Sequence, residues 1–576
     1  MDVILIHSPS NFDFRKQLLV TGALTDGINN SVIYEMYPMG FLSMACALQQ
    51  NGYQVQILNL ALKMLKHPNI DVEKYLKSLD AKIFAFDLHW MIHALGALKV
   101  SKIVKKLHPN SIILFGGFTS SYFAQELLQK NSHIDMILRG DTVESLLVRI
   151  VQNISNPNAW HSIPNLLWRK GDKIFDNGFT FVPSSFNVVN TDFLITLAKM
   201  VISSHELDPC SFLPAAPYRI KPTLPILFSK GCTHNCINCG GSQYAMKRVC
   251  NRDKIALKPP HILAKEIIDL SNSFNFAIRI IGDFQIAPLS YREKLFRILH
   301  RYHPYKIENF TYFEFFTPPP RQYLEQLAGT FSKFSTELSP ESGSDVVRKK
   351  QGRPYSNDQV LRFHKNVLEL NKTPTIYYWF QVGNAFETKE TLEETQHLCK
   401  TLLKMDPQRT YPFISPLNPY IDPGSIAFEH PDENGYRLLY PTLEMQVGGF
   451  QKPIWKYYLN YETRYFSRDE LVKISFEQSI RLNELKVRVG ALDSDESEFL
   501  NRILRVTYRI INILDKNPNF STSPPPLIRR YFLKEGQVPL KQRQTAIIMK
   551  DGNNILDLAL NGLTYMRHTL RRFLRI

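Results

Sequence analysis

No run of about eighteen apolar residues interrupts this 576-residue sequence, so no segment is expected to cross a membrane as a helix. The first residues, Met1-Asp2-Val3-Ile4-Leu5-Ile6-His7, lack a basic leader and read as a strand rather than a signal peptide, which makes a cytoplasmic location the expectation. Cysteine is scarce, at seven residues. A disulfide framework belongs to small secreted domains with evenly spread cysteines, and it is excluded here. Acidic residues are outnumbered, 53 against 69 basic ones, for a formal net charge of +16. Much of the excess sits in residues 521–576, with ten basic and three acidic residues. A solvated basic face explains such a tail, and specific nucleic-acid binding is not expected from it.

What is present is α/β patterning. In residues 1–155 short apolar runs (Val3–Ile6, Val55–Leu58, Ile83–Phe86, Ile112–Phe115, Met136–Leu138) alternate with helical patterns near 41–51, 93–107, 122–129 and 143–153. Unbroken apolar runs suit strands covered on both faces, so a doubly wound, Rossmann-like parallel sheet is expected, with ligands at the strand carboxyl ends. Residues 156–220 are proline-rich and read as a connector holding a small hairpin around Gly171-Asp172. A second βα series fills 221–430, with strands expected at Leu224–Ser229, Ala277–Ile281, Phe310–Phe316, Phe334–Leu338, Ile376–Val382 and Tyr411–Ile414. Six such units predict an open (β/α)6 version of the parallel TIM-like barrel, with its chemistry on loops after the strands. The alternating aromatics Tyr312, Phe313, Phe315, Tyr377 and Trp379 read as core packing. Residues 431–576 are mostly helical and basic. Leu556, Leu560, Leu563, Met566, Leu570 and Leu574 share one helical face there, for packing on the protein's own surface or, as the second reading, for peripheral contact with a membrane.

The decisive segment follows the first strand of the second series: Gly231-Cys232-Thr233-His234-Asn235-Cys236-Ile237-Asn238-Cys239-Gly240-Gly241-Ser242. A closed cubane iron–sulfur cluster takes four thiolates, and three close cysteines leave one iron open for a reactant. A structural zinc site would need a second ligand pair. Only His234 or Cys250 is at hand to complete four ligands, so that reading stays as the minor alternative.

At these residues the chain resembles the radical S-adenosylmethionine superfamily, and the resemblance runs through residues 224–428. It implies a [4Fe-4S] cluster on Cys232, Cys236 and Cys239. It further implies that Ile281-Gly282-Asp283-Phe284 stands where the family often has Gly-Gly-Glu, with Gly282 and Asp283 at the methionine amino group. Leu338-Ser339-Pro340-Glu341-Ser342-Gly343 resembles the family's Gly-Ile-Glu-Ser-Gly segment, whose polar side chains, here Glu341 and Ser342, approach S-adenosylmethionine. Arg348 to Arg353 could supply a cation for its carboxylate. Gly383-Asn384-Ala385-Phe386-Glu387-Thr388 matches the turn after strand five without its proline, bringing in Gly383 and Glu387. Pro416 to Ser425 matches the segment after strand six. The implied chemistry is reductive cleavage of S-adenosylmethionine to a 5′-deoxyadenosyl radical that abstracts a substrate hydrogen.

The first domain resembles the cobalamin-binding domain of cobalamin-dependent radical enzymes. Tyr37-Pro38-Met39-Gly40, Phe115-Gly116-Gly117-Phe118 and Arg139-Gly140-Asp141-Thr142-Val143-Glu144 carry the likeness, with Gly116, Gly117, Gly140 and Glu144 as cofactor candidates. The Asp-x-His-x-x-Gly motif, whose histidine ligates cobalt in many cobalamin proteins, is missing after strand one. Asp87-Leu88-His89 follows strand three instead, placing Asp87 and His89 near the cofactor. The resemblance implies a cobalamin-dependent methyltransferase, or a rearrangement catalyst, acting on an unactivated carbon of a small-molecule or lipid-precursor substrate, with an external electron donor of the ferredoxin or flavodoxin type. Methylthiolation would require three further cysteines in the first domain, which has only Cys46. An iron–sulfur electron-transfer or scaffold protein is the non-enzymatic alternative.

Overall fold

The structure is a computed structural model. It describes residues 1–16, 19–20, 22–23, 38–67, 69–186, 223–273, 277–302, 307–372, 374–416 and 420–517. Tyr37, the connector beyond residue 186 and the amphipathic segment 556–574 lie outside the described residues. No described helix is long and apolar enough to cross a membrane.

Two parallel sheets organise the chain. The first contains β1 (Val3–His7), β2 (Val55–Asn59), β3 (Ile83–Asp87), β4 (Ile112–Gly116), β5 (Met136–Leu138), β6 (Leu166–Lys170) and β7 (Lys173–Asp176), in the order β2-β1-β3-β4-β5-β6-β7. Strands β1 to β5 pair in parallel; β6 and β7 form the expected hairpin, which extends this sheet antiparallel to β5. All five residues of β1 and of β3 are buried, as two-sided cover by helices requires. The strand order reverses between β1 and β3, which is where such sheets open a ligand crevice.

The next strands are β8 (Thr223–Leu227), the short antiparallel pair β9 (Ser229–Lys230) and β10 (Ala256–Leu257), then β11 (Ala277–Ile281), β12 (Thr311–Phe315), β13 (Phe334–Glu341), β14 (Thr375–Val382) and β15 (Thr410–Pro416). The second sheet runs β8-β11-β12-β13-β14-β15, every neighbour parallel, as an open half-barrel. Its strands alternate instead of being continuously apolar. Ile278, Ile280, Phe313, Phe315, Leu338, Ile376, Tyr378 and Phe380 join the apolar core with residues of the surrounding helices. The intervening residues face the opposite side, the lumen. The expectation of core packing holds for Phe313, Phe315 and Tyr377, which are buried, and is corrected for Tyr312 and Trp379, which are only half-buried on the lumen face. Alternation alone does not reveal which face is dry.

Beyond the half-barrel, helices Leu443–Phe450, Arg468–Arg488 and Ser494–Lys516 follow, together with an antiparallel pair formed by β16 (Tyr436–Leu438) and β17 (Tyr461–Thr463). This region reaches back to the first domain. The Glu126 carboxylate accepts from the Leu443 and Glu444 N–H groups (3.1 and 2.9 Å), at the positive end of a helix. Val20 bonds backbone to backbone with Pro453 (2.8 Å) and Trp455 (3.1 Å).

The strongest tie between the two sheets is a buried ion pair. Arg252 Nε and Nη2 donate to Asp141 Oδ2 (2.6 Å) and Oδ1 (2.8 Å), and Nη1 donates to the Pro183 carbonyl (2.9 Å). The two side chains are 2% and 4% exposed, so neither charge has water to fall back on. The Arg252 stem also lies against Gly231, where a Cβ would come within 3.0 Å of its Cδ. Arg252→Met therefore strands the Asp141 carboxylate. A loss of about 3–5 kcal/mol in unfolding free energy is expected, read as a shift of the urea midpoint; an unchanged midpoint would show that the pair carries no net load.

Candidate functional site

The cysteine loop connects β9 to a helix whose N-cap is Ser242; its hydroxyl accepts from the Ala245 N–H (3.2 Å). That helix and three distant segments hold the loop. The Ile237 N–H donates to the Gln351 carbonyl (3.2 Å), and the Ile237 carbonyl accepts from Ala427 N–H (2.7 Å). Asn235 Oδ1 accepts from the Tyr244 N–H (2.8 Å), and Asp422 Oδ2 accepts from the Gly240 N–H (2.9 Å). Gly352, at φ +84°, sits so close to the loop that a Cβ would meet the Asn235 carbonyl at 2.4 Å. The loop's shape thus depends on distant residues, Asp422 being 182 positions from Gly240 and Ala427 lying farther still along the chain.

Two thiols receive backbone N–H groups, Cys232 from His234 (3.4 Å) and Cys239 from Gly241 (3.3 Å). Such bonds stabilise thiolate sulfur. Burial nevertheless pushes the Cys232 and Cys236 thiols up from their ordinary value. Burial thus favours the protonated thiols, so metal uptake would release protons. Among the described residues no three His, Cys, Asp or Glu side chains gather on a single metal ion. A cubane asks for a different arrangement, one thiolate to each of three irons. Cys250, the spare ligand of a zinc reading, is buried with Met246 and Val249 against Phe118, Tyr122 and Phe179. His234 meets the Phe316 ring edge-on at 5.8 Å.

Beside this loop lies the second half of the site. A register shift in β13 between Leu338 and Glu341 puts Glu341 in a left-handed conformation, φ +64°. Bulges re-aim side chains in this way. Glu341 Oε1 accepts from Arg353 Nε (2.8 Å) and Nη2 (2.6 Å). Glu341 Oε2 and Arg353 Nη1 are both buried without a protein partner, a paired acceptor and donor left open. Arg353 faces Cys236 and Cys232 closely enough to favour their thiolates. Arg348 is committed elsewhere: Nη1 donates to Asp345 (2.8 Å) and the Tyr355 carbonyl (2.9 Å), and Nη2 to the Ser342 carbonyl (2.7 Å). Of the basic run, Arg353 is the one turned to the cysteines.

The other sequence-derived residues divide by role. The Asp283 carboxylate accepts from Gln285 N–H (2.8 Å), Gln285 Nε2 (3.0 Å) and Phe316 N–H (2.8 Å), bracketing the ends of β11 and β12; burial pushes it up to about 6. Gly282 precedes it at φ +93°. The Ser342 hydroxyl accepts from the Ser344 N–H (3.1 Å). Glu387 is buried, pushed up to about 8, and accepts from the Gly383 N–H (2.9 Å) and Asn384 Nδ2 (3.3 Å). It shapes the turn, and Asn384 Nδ2 in turn holds the Glu341 carbonyl (3.0 Å). Asp422, Asn384 and Arg252 were not singled out from sequence, because their roles depend on contacts across the fold.

On the first domain, His7 Nδ1 and Asp87 Oδ1 lie 3.0 Å apart at the ends of β1 and β3, where the strand order reverses. His89 comes next. Loss of solvent pushes its imidazole down to about 4, so it is neutral at pH 7, and no described residue hydrogen-bonds its ring. It stacks at 4.3 Å from Phe118 and lines a cleft of about 140 Å3 with Trp90, Thr119, Gly240, Gly241 and Asp422. Gly117, at φ +110°, has its Cβ position 2.6 Å from the His89 nitrogen, so the two loops touch backbone to backbone. A Cβ at Gly116 would meet only the Leu138 carbonyl at 3.6 Å. Gly140 N–H donates to the Ser121 hydroxyl (3.0 Å), and Glu144 accepts from Ser43 (2.8 Å). The cleft joins the strand ends of the first sheet to the cysteine loop of the second.

An α/β domain with its ligand edge against the three-cysteine loop of a parallel half-barrel defines a class of architecture, and comparison with known proteins meets it. Residues 25–147 match the family described as "B12 binding domain". The chain is 22% identical over 206 residues to the anaerobic magnesium-protoporphyrin IX monomethyl ester cyclase of Synechocystis sp., covering 36% of this chain and 38% of that one. It is 21% identical over 213 residues to the hopanoid C-3 methylase of Methylococcus capsulatus, covering 36% of each. These matches span under two fifths of the curated relatives' length. The fold is similar to the radical S-adenosylmethionine methyltransferase TsrM from Kitasatospora setae, in a structure with cobalamin and a [4Fe-4S] cluster bound: TM-score 0.56 at 13% identity, covering 86% of this chain and 90% of that one. Residues 25–147 thus match a B12 binding domain, and the chain as a whole shares its fold with a radical S-adenosylmethionine methyltransferase.

Proposed function

We propose that this protein is a cobalamin-dependent radical S-adenosylmethionine enzyme that methylates or rearranges an unactivated carbon of a small molecule. The observation that carries the reading is the open pair of buried atoms, Glu341 Oε2 and Arg353 Nη1, beside three cysteines that leave a cubane one ligand short. An acceptor and a donor side by side complement the ammonium and carboxylate of an amino acid. Cys232, Cys236 and Cys239 would hold the cluster, Glu341 and Arg353 the methionine end of S-adenosylmethionine, and the cleft at His89, Trp90 and Gly240 one face of cobalamin. That cleft is smaller than the roughly 300–1,000 Å3 of a typical ligand site, so it fits a face and not a whole corrin. When bound, these groups supply an electron, a 5′-deoxyadenosyl radical and a methyl carrier.

The chain's own work is positioning and exclusion. Asp422 and Gln351 fix the loop that presents the thiols. Glu387, Asn384 and the β13 bulge fix Glu341. Trp90 and Phe118 keep the space between the domains apolar. The reductant is external, of the ferredoxin or flavodoxin class, and Cys239 is the cysteine most open to it. Methylthiolation is disfavoured because Cys46, the first domain's one cysteine, is buried in the helix Gly40–Gln50.

Anaerobic reconstitution with iron, sulfide and hydroxocobalamin tests the reading. Absorbance should report both cofactors, and product analysis should find 5′-deoxyadenosine with S-adenosylhomocysteine. Deoxyadenosine without bound cobalamin would reject the methyl-carrier part alone. A cluster that yields neither product would return the protein to electron transfer.

A further inference from the structure

The lumen face of the half-barrel carries a polar and aromatic lining apart from the cysteine loop and the Glu341–Arg353 pair. Arg279 of β11 and Glu337 of β13 form a two-pronged ion pair, Nη1 to Oε1 at 3.0 Å and Nη2 to Oε2 at 2.8 Å. Both Glu337 oxygens are thereby occupied. Glu314 of β12 lies in register with Glu337 on the same face. Its carboxylate faces Arg279, Glu337 and Arg353, and the Gly282 N–H points to it. Arg279 and Arg353 each already bind another carboxylate, and among the described residues no side chain hydrogen-bonds Glu314. The level therefore holds one cation and two anions, with Glu314 as the uncompensated acceptor.

Next to it, β14 and β15 raise a wall of near-parallel rings. Trp379 and Phe413 stack at 4.9 Å and 28°, and Tyr377 lies 10° from the plane of Phe413 at 6.2 Å. Trp379 is only half-buried, and Tyr377 is in register with Glu337. Tyr377 and Phe413 are buried behind this wall, and Lys486 Nζ lies 5.0 Å over the Phe413 ring, so Trp379 is the ring of the stack left partly open. A half-barrel that needed only a filled lumen would line it with aliphatic side chains, as closed barrels do. This one presents the Trp379 ring and a spare carboxylate instead.

We propose that the lumen takes a flat, conjugated substrate bearing a cationic or N–H-donating nitrogen, with its ring system against Trp379, which Phe413 and Tyr377 back, and its nitrogen on Glu314. The assignment rests on the radical-enzyme reading for its place in the reaction, because it sets the substrate's ring within reach of the Glu341 and Arg353 end of the lumen. Stacking and a charge-assisted hydrogen bond are the two sources of recognition.

Three naphthalene- and cyclohexane-based probes separate these sources on the reconstituted full-length protein. 1-Naphthylmethylamine has both ring and cation; 1-naphthylacetic acid has the ring with the opposite charge; cyclohexanemethylamine has the cation without the ring. Affinity is read by ligand-observed NMR and by naphthyl fluorescence where the probe allows it. The protein's net charge of +16 favours the acid on general electrostatics, so a preference for the amine has to be local. The naphthyl amine should bind at least about tenfold tighter than either control, as one charge-assisted bond or one aromatic contact predicts. Glu314→Gln should reduce that preference about tenfold, and Trp379→Leu should weaken both naphthyl probes. Equal binding of the three, or a preference for the acid, overturns the assignment on wild-type protein alone, whatever the variants do. The wild-type cluster's paramagnetic response to S-adenosylmethionine, recorded on the same sample, reports the cofactor reading separately. An unresponsive cluster with selective amine binding sinks that reading and leaves the lumen assignment standing; a responsive cluster without selectivity does the reverse.

Discussion

Replacing Cys232, Cys236 and Cys239 together by alanine should abolish iron binding, the brown cluster absorbance and all 5′-deoxyadenosine formation, while the protein still folds. The loss should be complete rather than graded. A cubane held by three thiolates has no protein ligand to spare, and Cys250 cannot step in from the apolar packing that holds it against Phe118 and Tyr122. The fold should survive because the loop's anchors are backbone groups: the Ile237 N–H and carbonyl, and the Gly240 N–H. Far-ultraviolet circular dichroism and the urea midpoint check this second half. Cluster absorbance or deoxyadenosine persisting in the triple variant would defeat the assignment of the thiols.

Arg353→Met should have the next largest effect, and on two quantities that can be separated. The variant leaves the Glu341 carboxylate buried without its cation, which costs about 3–5 kcal/mol of stability. It also removes the donor proposed for the S-adenosylmethionine carboxylate, so binding should weaken roughly 10–100-fold, as a lost charge-assisted hydrogen bond does. The double variant Glu341→Gln with Arg353→Met separates the two. With neither charge present, much of the stability should return, but affinity for S-adenosylmethionine should not. Residues in one ion pair couple strongly, so the double-variant cycle is the appropriate comparison. If affinity recovers with stability, the pair is only a structural brace.

How much of this was legible in the sequence follows from the range of the forces involved. Most strands were readable within one or two residues, as Ala277–Ile281 shows, because burial on a sheet face imposes a local period; β13 runs three residues past the expected Leu338, to Glu341. The thiol spacing was readable for the same reason: all three ligands lie within eight residues. The polar partners were not. Asp422 meets Gly240 across 182 residues and Arg252 meets Asp141 across 111, and no local pattern encodes either. The alternation of Tyr377, Tyr378 and Trp379 showed two faces but not which was the lumen. His364 settles it afterwards, bonding the Tyr378 hydroxyl at 2.9 Å on the helix side. Asp283 illustrates a different limit. Its place at a strand end was foreseeable, whereas its three internal hydrogen bonds depend on how β12 ends beside it.

The central claim is that the cysteine loop carries a cluster whose open iron and neighbouring Glu341–Arg353 pair receive S-adenosylmethionine. The most direct measurement is electron paramagnetic resonance of the reduced, reconstituted protein before and after addition of S-adenosylmethionine. The account predicts a cubane signal whose g values shift on addition, with the shift strongly reduced in Arg353→Met. A signal from the wild-type cluster that ignores S-adenosylmethionine would contradict it.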